Sequence, residues 1–113
     1  MQQYKDPSQN FLEDFENPID KFFNPKSVAL IGATEKSPSV ARTILSNLLH
    51  HGYKGAIYPI NPKYEKVLGQ KCYPNLESIN DNIDLVIIVT PAKTVPDLVK
   101  SCVSKKVPSI III

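Results

Sequence analysis

Apolar and polar positions along this chain alternate between two kinds of pattern. Short, nearly unbroken apolar runs occur at Ser27–Ile31 (SVALI), Gly55–Ile60 (GAIYPI), Asp84–Val89 (DLVIIV) and Ser109–Ile113. The first three are closed by Gly32, Asn61-Pro62 and Thr90-Pro91. Runs of this kind read as strands buried on both faces. Between them lie two longer stretches with helical spacing. Ala41, Ile44, Leu45, Leu48 and Leu49 form one i, i+3, i+4, i+7, i+8 stripe, and Val95, Leu98, Val99, Cys102 and Val103 form another.

Local signals bound these helices. Ser37-Pro38 reads as N-cap and first helical residue of the earlier one, and Gly52 stops it, with His50 and His51 in the last turn. Thr94 and Asp97 stand at capping-box spacing for the later one, with Pro96 just inside and Lys105-Lys106 at its end. Lys71–Tyr73 is predicted as a short edge strand, followed by a brief helix around Asn75–Ile79. Asn17-Pro18 opens a short helix through Phe23, whose apolar face (Ile19, Phe22, Phe23) is expected to pack beneath the domain.

Strands alternating with helices imply βαβ units and a parallel sheet. With right-handed crossovers, the expected fold is α/β, a Rossmann-like open parallel sheet of order 3-2-1-4-5 with helices on both faces. Lys71–Tyr73 forms one edge of that sheet and the final isoleucine run the other. The 113 residues suit one domain: an acidic lead-in over 1–24 and the Rossmann-like unit over 25–113. The chain stops inside the apolar run Ile110–Ile113, which reads as a piece of something longer with its sheet truncated after the last strand.

Composition narrows the class. With 42% apolar and 21% charged residues, the chain has the profile of a globular protein. Its net charge of +2 is unevenly spread: residues 1–24 carry five acids against two lysines, and the remainder eleven bases against six acids. A modestly basic body suits an anionic ligand, but the absence of a Lys/Arg cluster argues against nucleic acid as a partner. No signal peptide and no long apolar segment are present, so a cytoplasmic protein without a membrane partner is expected. Cys72 and Cys102 lack disulfide-scaffold or metal-ligand spacing.

Chemistry is expected beyond the carboxyl ends of the strands, where three loops meet. The first, Gly32–Ser39, reads G-A-T-E-K-S-P-S. It offers a tight turn, the hydroxyls of Thr34, Ser37 and Ser39, and a following helix N-terminus that favours phosphate. It lacks the G-x-G-x-x-G pattern, because Thr34 and Ser37 stand at the second and third glycine positions. The second loop is Asn61-Pro62-Lys63, where an NAD-binding domain would carry a carboxylate for a free ribose diol. Lys63 instead suits a phosphate on the ribose, which means a phosphorylated adenosine: CoA or NADP. The third loop, Thr90-Pro91-Ala92, presents a hydroxyl and a rigid backbone without side-chain bulk.

Neither a Walker A lysine nor a nucleophile elbow is present. His50 and His51 fall at the end of the sheet away from the three loops, Cys102 lies on a buried stripe, and Cys72 has no evident activating partner. No catalytic residue and no metal ligand is assigned.

The stretches FFNPKSVALIGAT (Phe22–Thr34), SVAR (Ser39–Arg42), YKGAIYPINPKY (Tyr53–Tyr64) and DLVIIVTPA (Asp84–Ala92) together resemble the N-terminal CoA-binding domain of ADP-forming acyl-CoA synthetases. That domain is similar to part of the succinyl-CoA synthetase alpha subunit, and it also opens protein lysine acetyltransferases fused to a GNAT domain. The resemblance spans about residues 18–113. It implies coenzyme A or acyl-CoA as ligand, with Gly32, Ala33, Thr34, Lys36, Ser37 and Ser39 around its phosphates. It further implies Asn61, Pro62 and Lys63 at the charged adenosine end, and Thr90, Pro91 and Ala92 along the remaining wall. The family's P-G-S-V-G pattern has glycines where this chain has Pro38 and Ala41. A proline at the first helical position removes one N–H from the helix terminus, so weaker phosphate affinity is expected there.

The family's reacting groups, a phosphohistidine and an ATP-grasp module, belong to further domains, so the chain alone is expected to bind CoA without turnover. The alternatives are an NADP-binding oxidoreductase domain and an assembly fragment without ligand. The final strand's free edge points to a homodimer or strand exchange, and downstream domains of a parent chain are expected as further partners.

Overall fold

In a computed structural model, residues 18–113 are described. Helix α1 spans Pro18–Phe23, strand β1 Ser27–Ile31, helix α2 Val40–His50 and strand β2 Ala56–Ile60. A small hairpin follows, β3 (Lys66–Val67) and β4 (Gln70–Lys71), then a 3-10 turn at Leu76–Ser78. Strand β5 (Leu85–Ile88), a 3-10 turn at Ala92–Thr94, helix α3 (Val95–Ser104) and strand β6 (Ser109–Ile112) complete the chain.

The main sheet is parallel throughout, in the order β2-β1-β5-β6. All five β1 residues are buried, as are all four of β5, because these central strands are covered on both faces. Residues alternate between two cores as the strand period requires. Ala29, Ile31, Ile60, Val86 and Ile88 meet Cys102, Leu98 and Val99 of α3 and Leu76 of the first 3-10 turn. Val28, Leu30, Leu85 and Ile87 meet Leu45, Ile44, Leu48 and Leu49 of α2. Leu45 is fully buried, a position where truncation to alanine costs about 3 kcal/mol. The helices thus flank the sheet on both faces, as the two apolar stripes imply.

The fifth strand expected at Lys71–Tyr73 is reduced to one parallel bridge between Ile60 and Tyr73. The Tyr73 amide donates to the Pro59 carbonyl at 2.9 Å, and the Asn61 amide donates to the Tyr73 carbonyl at 2.9 Å. The next rung of a parallel ladder would take an N–H from residue 59, and proline has none. Lys71 instead pairs with Lys66 in the hairpin. The turn there is Leu68-Gly69, with φ of 48° and 78° at its two residues, the geometry favoured in two-residue hairpin loops.

Three local expectations change. Helix α2 begins at Val40, two residues later than Ser37-Pro38 predicts. Its cap is Ser39, in extended conformation, whose Oγ accepts from the Arg42 amide at 3.1 Å. Pro38 therefore lies outside the helix and removes no N–H from its first turn. The Thr94–Asp97 capping box does not form, because Thr94 has αR dihedrals and continues the preceding 3-10 turn into α3. Its hydroxyl turns back to the Thr90 Oγ1 and the Pro91 carbonyl, each at 2.7 Å.

Helix α1 is the third difference, since its apolar side faces outward: Ile19, Phe22 and Phe23 are all exposed. Polar contacts hold the segment instead. Lys21 lies 3.5 Å from one oxygen of the buried Asp84 carboxylate, and the other oxygen accepts from the Lys26 amide at 2.8 Å. A hydrogen bond to a charged partner in so dry a place contributes about 2 kcal/mol. Asn17, expected to cap α1, lies outside the described residues.

Strand β6 pairs with β5 on one side, and Ile112 and Ile113 are 55% and 57% exposed. No helix among the described residues is long and apolar enough to cross a membrane.

Candidate functional site

The carboxyl ends of β1, β2 and β5 converge on a cleft of about 510 Å³. Gly32 sets how closely they approach. Its φ is +97°, and a Cβ there would stand 2.2 Å from the Val89 carbonyl oxygen and 3.1 Å from Thr90 Cγ2. Both the conformation and the space require glycine. The Gly32 and Ala33 amides donate to the Ile60 carbonyl at 2.9 and 3.2 Å, and the Val89 amide donates to the Ile31 carbonyl at 2.9 Å. The three loops are thereby tied to one another at their roots.

Asn61 locks the second loop. Its Nδ2 donates to the Ala33 carbonyl at 2.9 Å, and its Oδ1 accepts from the Lys63 amide at 2.9 Å, an Asx turn that leads the chain over Pro62. The Asn61 carbonyl takes the Tyr64 amide at 3.3 Å and lies 3.6 Å from the Cys72 thiol. Burial raises the Cys72 pKa above its ordinary value, so this sulfur stays a protonated packing group. The side chain of Asn61 is spent on positioning Lys63.

Of the residues singled out in sequence, the cleft gathers Gly32, Asn61, Pro62, Lys63, Thr90 and Pro91. Ala33 is fully buried beneath it, with N–H and C=O both used internally. Thr34, Lys36 and Ser37 occupy the outer part of the first loop, where the Thr34 Oγ1 accepts from the Lys36 amide at 3.1 Å. Ser39 is committed to capping α2, and Ala92 lies exposed in the 3-10 turn.

The far wall comes from residues outside the three loops, which no local sequence signal marks. Pro74, Leu76, Glu77, Leu98 and Ser101 line the cleft opposite the three loops. A hydrogen bond from Ser101, helped by Lys105, holds the Glu77 carboxyl below its ordinary pKa. The cleft lining thus carries one lysine, Lys63, and one carboxylate, Glu77, together with proline and leucine surfaces. Lys63 favours an anion in the cleft, while the charge of Glu77 is partly offset by Lys105. The set suits a flat base lying on apolar walls with a phosphate at the Lys63 rim. A second hollow, of about 550 Å³, lies at the opposite end of the sheet between Phe23–Lys26 and Tyr53–Ala56.

Replacing Gly32 with alanine is expected to cost about 3 kcal/mol or more, because the Cβ must displace backbone rather than a movable side chain. Urea unfolding of Gly32→Ala measures this, and a midpoint equal to that of the native sequence would contradict the close approach.

The CoA binding domain family matches residues 26–113. The chain is 43% identical over 95 residues to "Acetate--CoA ligase [ADP-forming] I" of Archaeoglobus fulgidus, covering 84% of this chain and 14% of the relative. It is 40% identical over 99 residues to the alpha subunit of "Acetate--CoA ligase [ADP-forming] I" of Pyrococcus furiosus, covering 84% of this chain and 21% of that subunit. Among solved structures, the dinucleotide forming acetyl-coenzyme A synthetase 1 of Ca. Korarchaeum cryptofilum, in complex with phosphate and ADP, superposes with a TM-score of 0.75 at 35% identity. That match covers 79% of this chain and 19% of the synthetase. The chain thus spans a small part of these relatives. Of the two phosphorylated adenosines that Lys63 would suit, the match selects CoA over NADP. Matched by that family over residues 26–113 and folded as the same parallel sheet, the chain belongs to the CoA binding domain family.

Proposed function

We propose that this domain serves as the CoA-holding part of an ADP-forming acyl-CoA ligase, with the ribose phosphate of CoA received at Lys63. The observation that carries this reading is Lys63 in the lining of the cleft, on a loop whose backbone is held by Asn61. Pro62, Pro91, Leu76 and Leu98 supply apolar surface for the base, and the Thr90 and Thr94 hydroxyls a polar edge. Gly32 and the outer loop through Thr34, Lys36 and Ser37 border the path of the pyrophosphate. The domain contributes binding and orientation. Acyl activation would fall to domains outside these residues, and a cytoplasmic setting fits a CoA-dependent ligase.

Titration calorimetry with CoA and with dephospho-CoA tests the assignment. CoA is expected to bind about tenfold more tightly, the worth of one charge-assisted contact. Equal affinities would overturn the Lys63–phosphate contact, and no heat with either ligand would overturn the CoA-holding role.

We further propose that the C-terminal end of β6 serves homodimer assembly, since Ile112 and the following Ile113 are exposed there. Light scattering on the 113-residue chain is expected to show a dimer at high concentration, and a clean monomer there would contradict it.

A further inference from the structure

Next to the cleft lies an open groove of about 570 Å³ that shares Pro62, Lys63 and Pro74 with it. Its other lining residues are Tyr64, Glu65, Lys71 and Cys72. Lys63 belongs to the lining of both hollows. Lys71, the last residue of β4, has its Nζ 4.8 Å from the centre of the Tyr73 ring. This cation–π contact holds the head group over the sheet edge. Tyr73 is fixed in turn by its bridge to β2, through the Pro59 carbonyl and the Asn61 amide. The position of Lys71 is thereby referred to the same asparagine that positions Lys63.

Among the described residues, neither Lys63 nor Lys71 has a carboxylate at ion-pair distance. Glu65 is the one carboxylate in the groove lining, against the two lysines Lys63 and Lys71. A phosphate monoester carries about −1.5 to −2 at neutral pH, more than a single lysine neutralises. Lys63 alone would leave part of that charge uncompensated beside Glu65.

We propose that Lys71 is a second cation for the ribose phosphate of CoA, acting from the groove while Lys63 acts from the lining that the two hollows share. This rests on the reading of Lys63 given above. The two lysines then form a clamp specific for the phosphate, and neither contacts the rest of the ligand through its charge.

The test compares native protein, Lys71→Gln and Lys63→Gln by calorimetry with CoA and dephospho-CoA, at low and at high salt. Lys71→Gln is expected to weaken CoA by about fivefold at low salt and less at high salt, with dephospho-CoA unchanged. Loss of both ligands equally, or of neither, would overturn the role of Lys71. If Lys63→Gln erases the preference for CoA while Lys71→Gln leaves it intact, the Lys63 reading stands and this inference falls. If native protein binds the two ligands equally, both fall.

Discussion

The architecture of the cleft depends on a missing side chain. At Gly32 the backbone of the first loop runs against the Val89 carbonyl, at a distance that no Cβ permits. That approach lets the Gly32 and Ala33 amides share the Ile60 carbonyl, and it leaves the ends of β1, β2 and β5 level with one another. Were the loop to stand further off, Asn61 would lose the Ala33 carbonyl and Lys63 its fixed place on the rim. Parallel strands make such a convergence possible, since all their carboxyl ends face one way. The glycine converts that general property into a particular cleft.

Charge then gives the cleft a direction. Lys63 and Lys71 lie toward the sheet edge at β2, whereas Glu77, kept ionised by Ser101, closes the wall beside α3. In the proposed CoA-holding role, a phosphate at Lys63 meets a cation, whereas one beside Glu77 meets a carboxylate that Lys105 only partly offsets. The apolar surface between these charges supplies binding energy without choosing direction. In that proposed role, affinity and orientation come from different residues.

Much of this was legible in the residues. The buried strands and both amphipathic helices announce themselves by period, and six of the expected site residues line the cleft because loops after parallel strands must meet. What escaped reading depended on tertiary facts. Pro59 blocks a fifth strand only once it is known that its nitrogen points to the outer edge. Ser37 and Ser39 flank one proline and are equally good caps locally, and the helix chose the second. Glu77, Leu98 and Ser101 reach the cleft because a 3-10 turn and α3 cover its far side, and nothing in their local sequence marks that. Ile19, Phe22 and Phe23 looked like a core face, but the Lys21–Asp84–Lys26 contacts hold α1 with that face turned outward.

The central claim is that CoA is held where the three strand ends converge, and residue-resolved NMR with CoA tests it most directly. Titration of the 15N-labelled chain is expected to move the amides of Gly32, Lys63, Leu76, Thr90 and Thr94, while those of Phe23, Lys26, Tyr53 and Ala56 at the opposite end of the sheet stay still. Shifts concentrated at that opposite end, or none at the convergence, would contradict it.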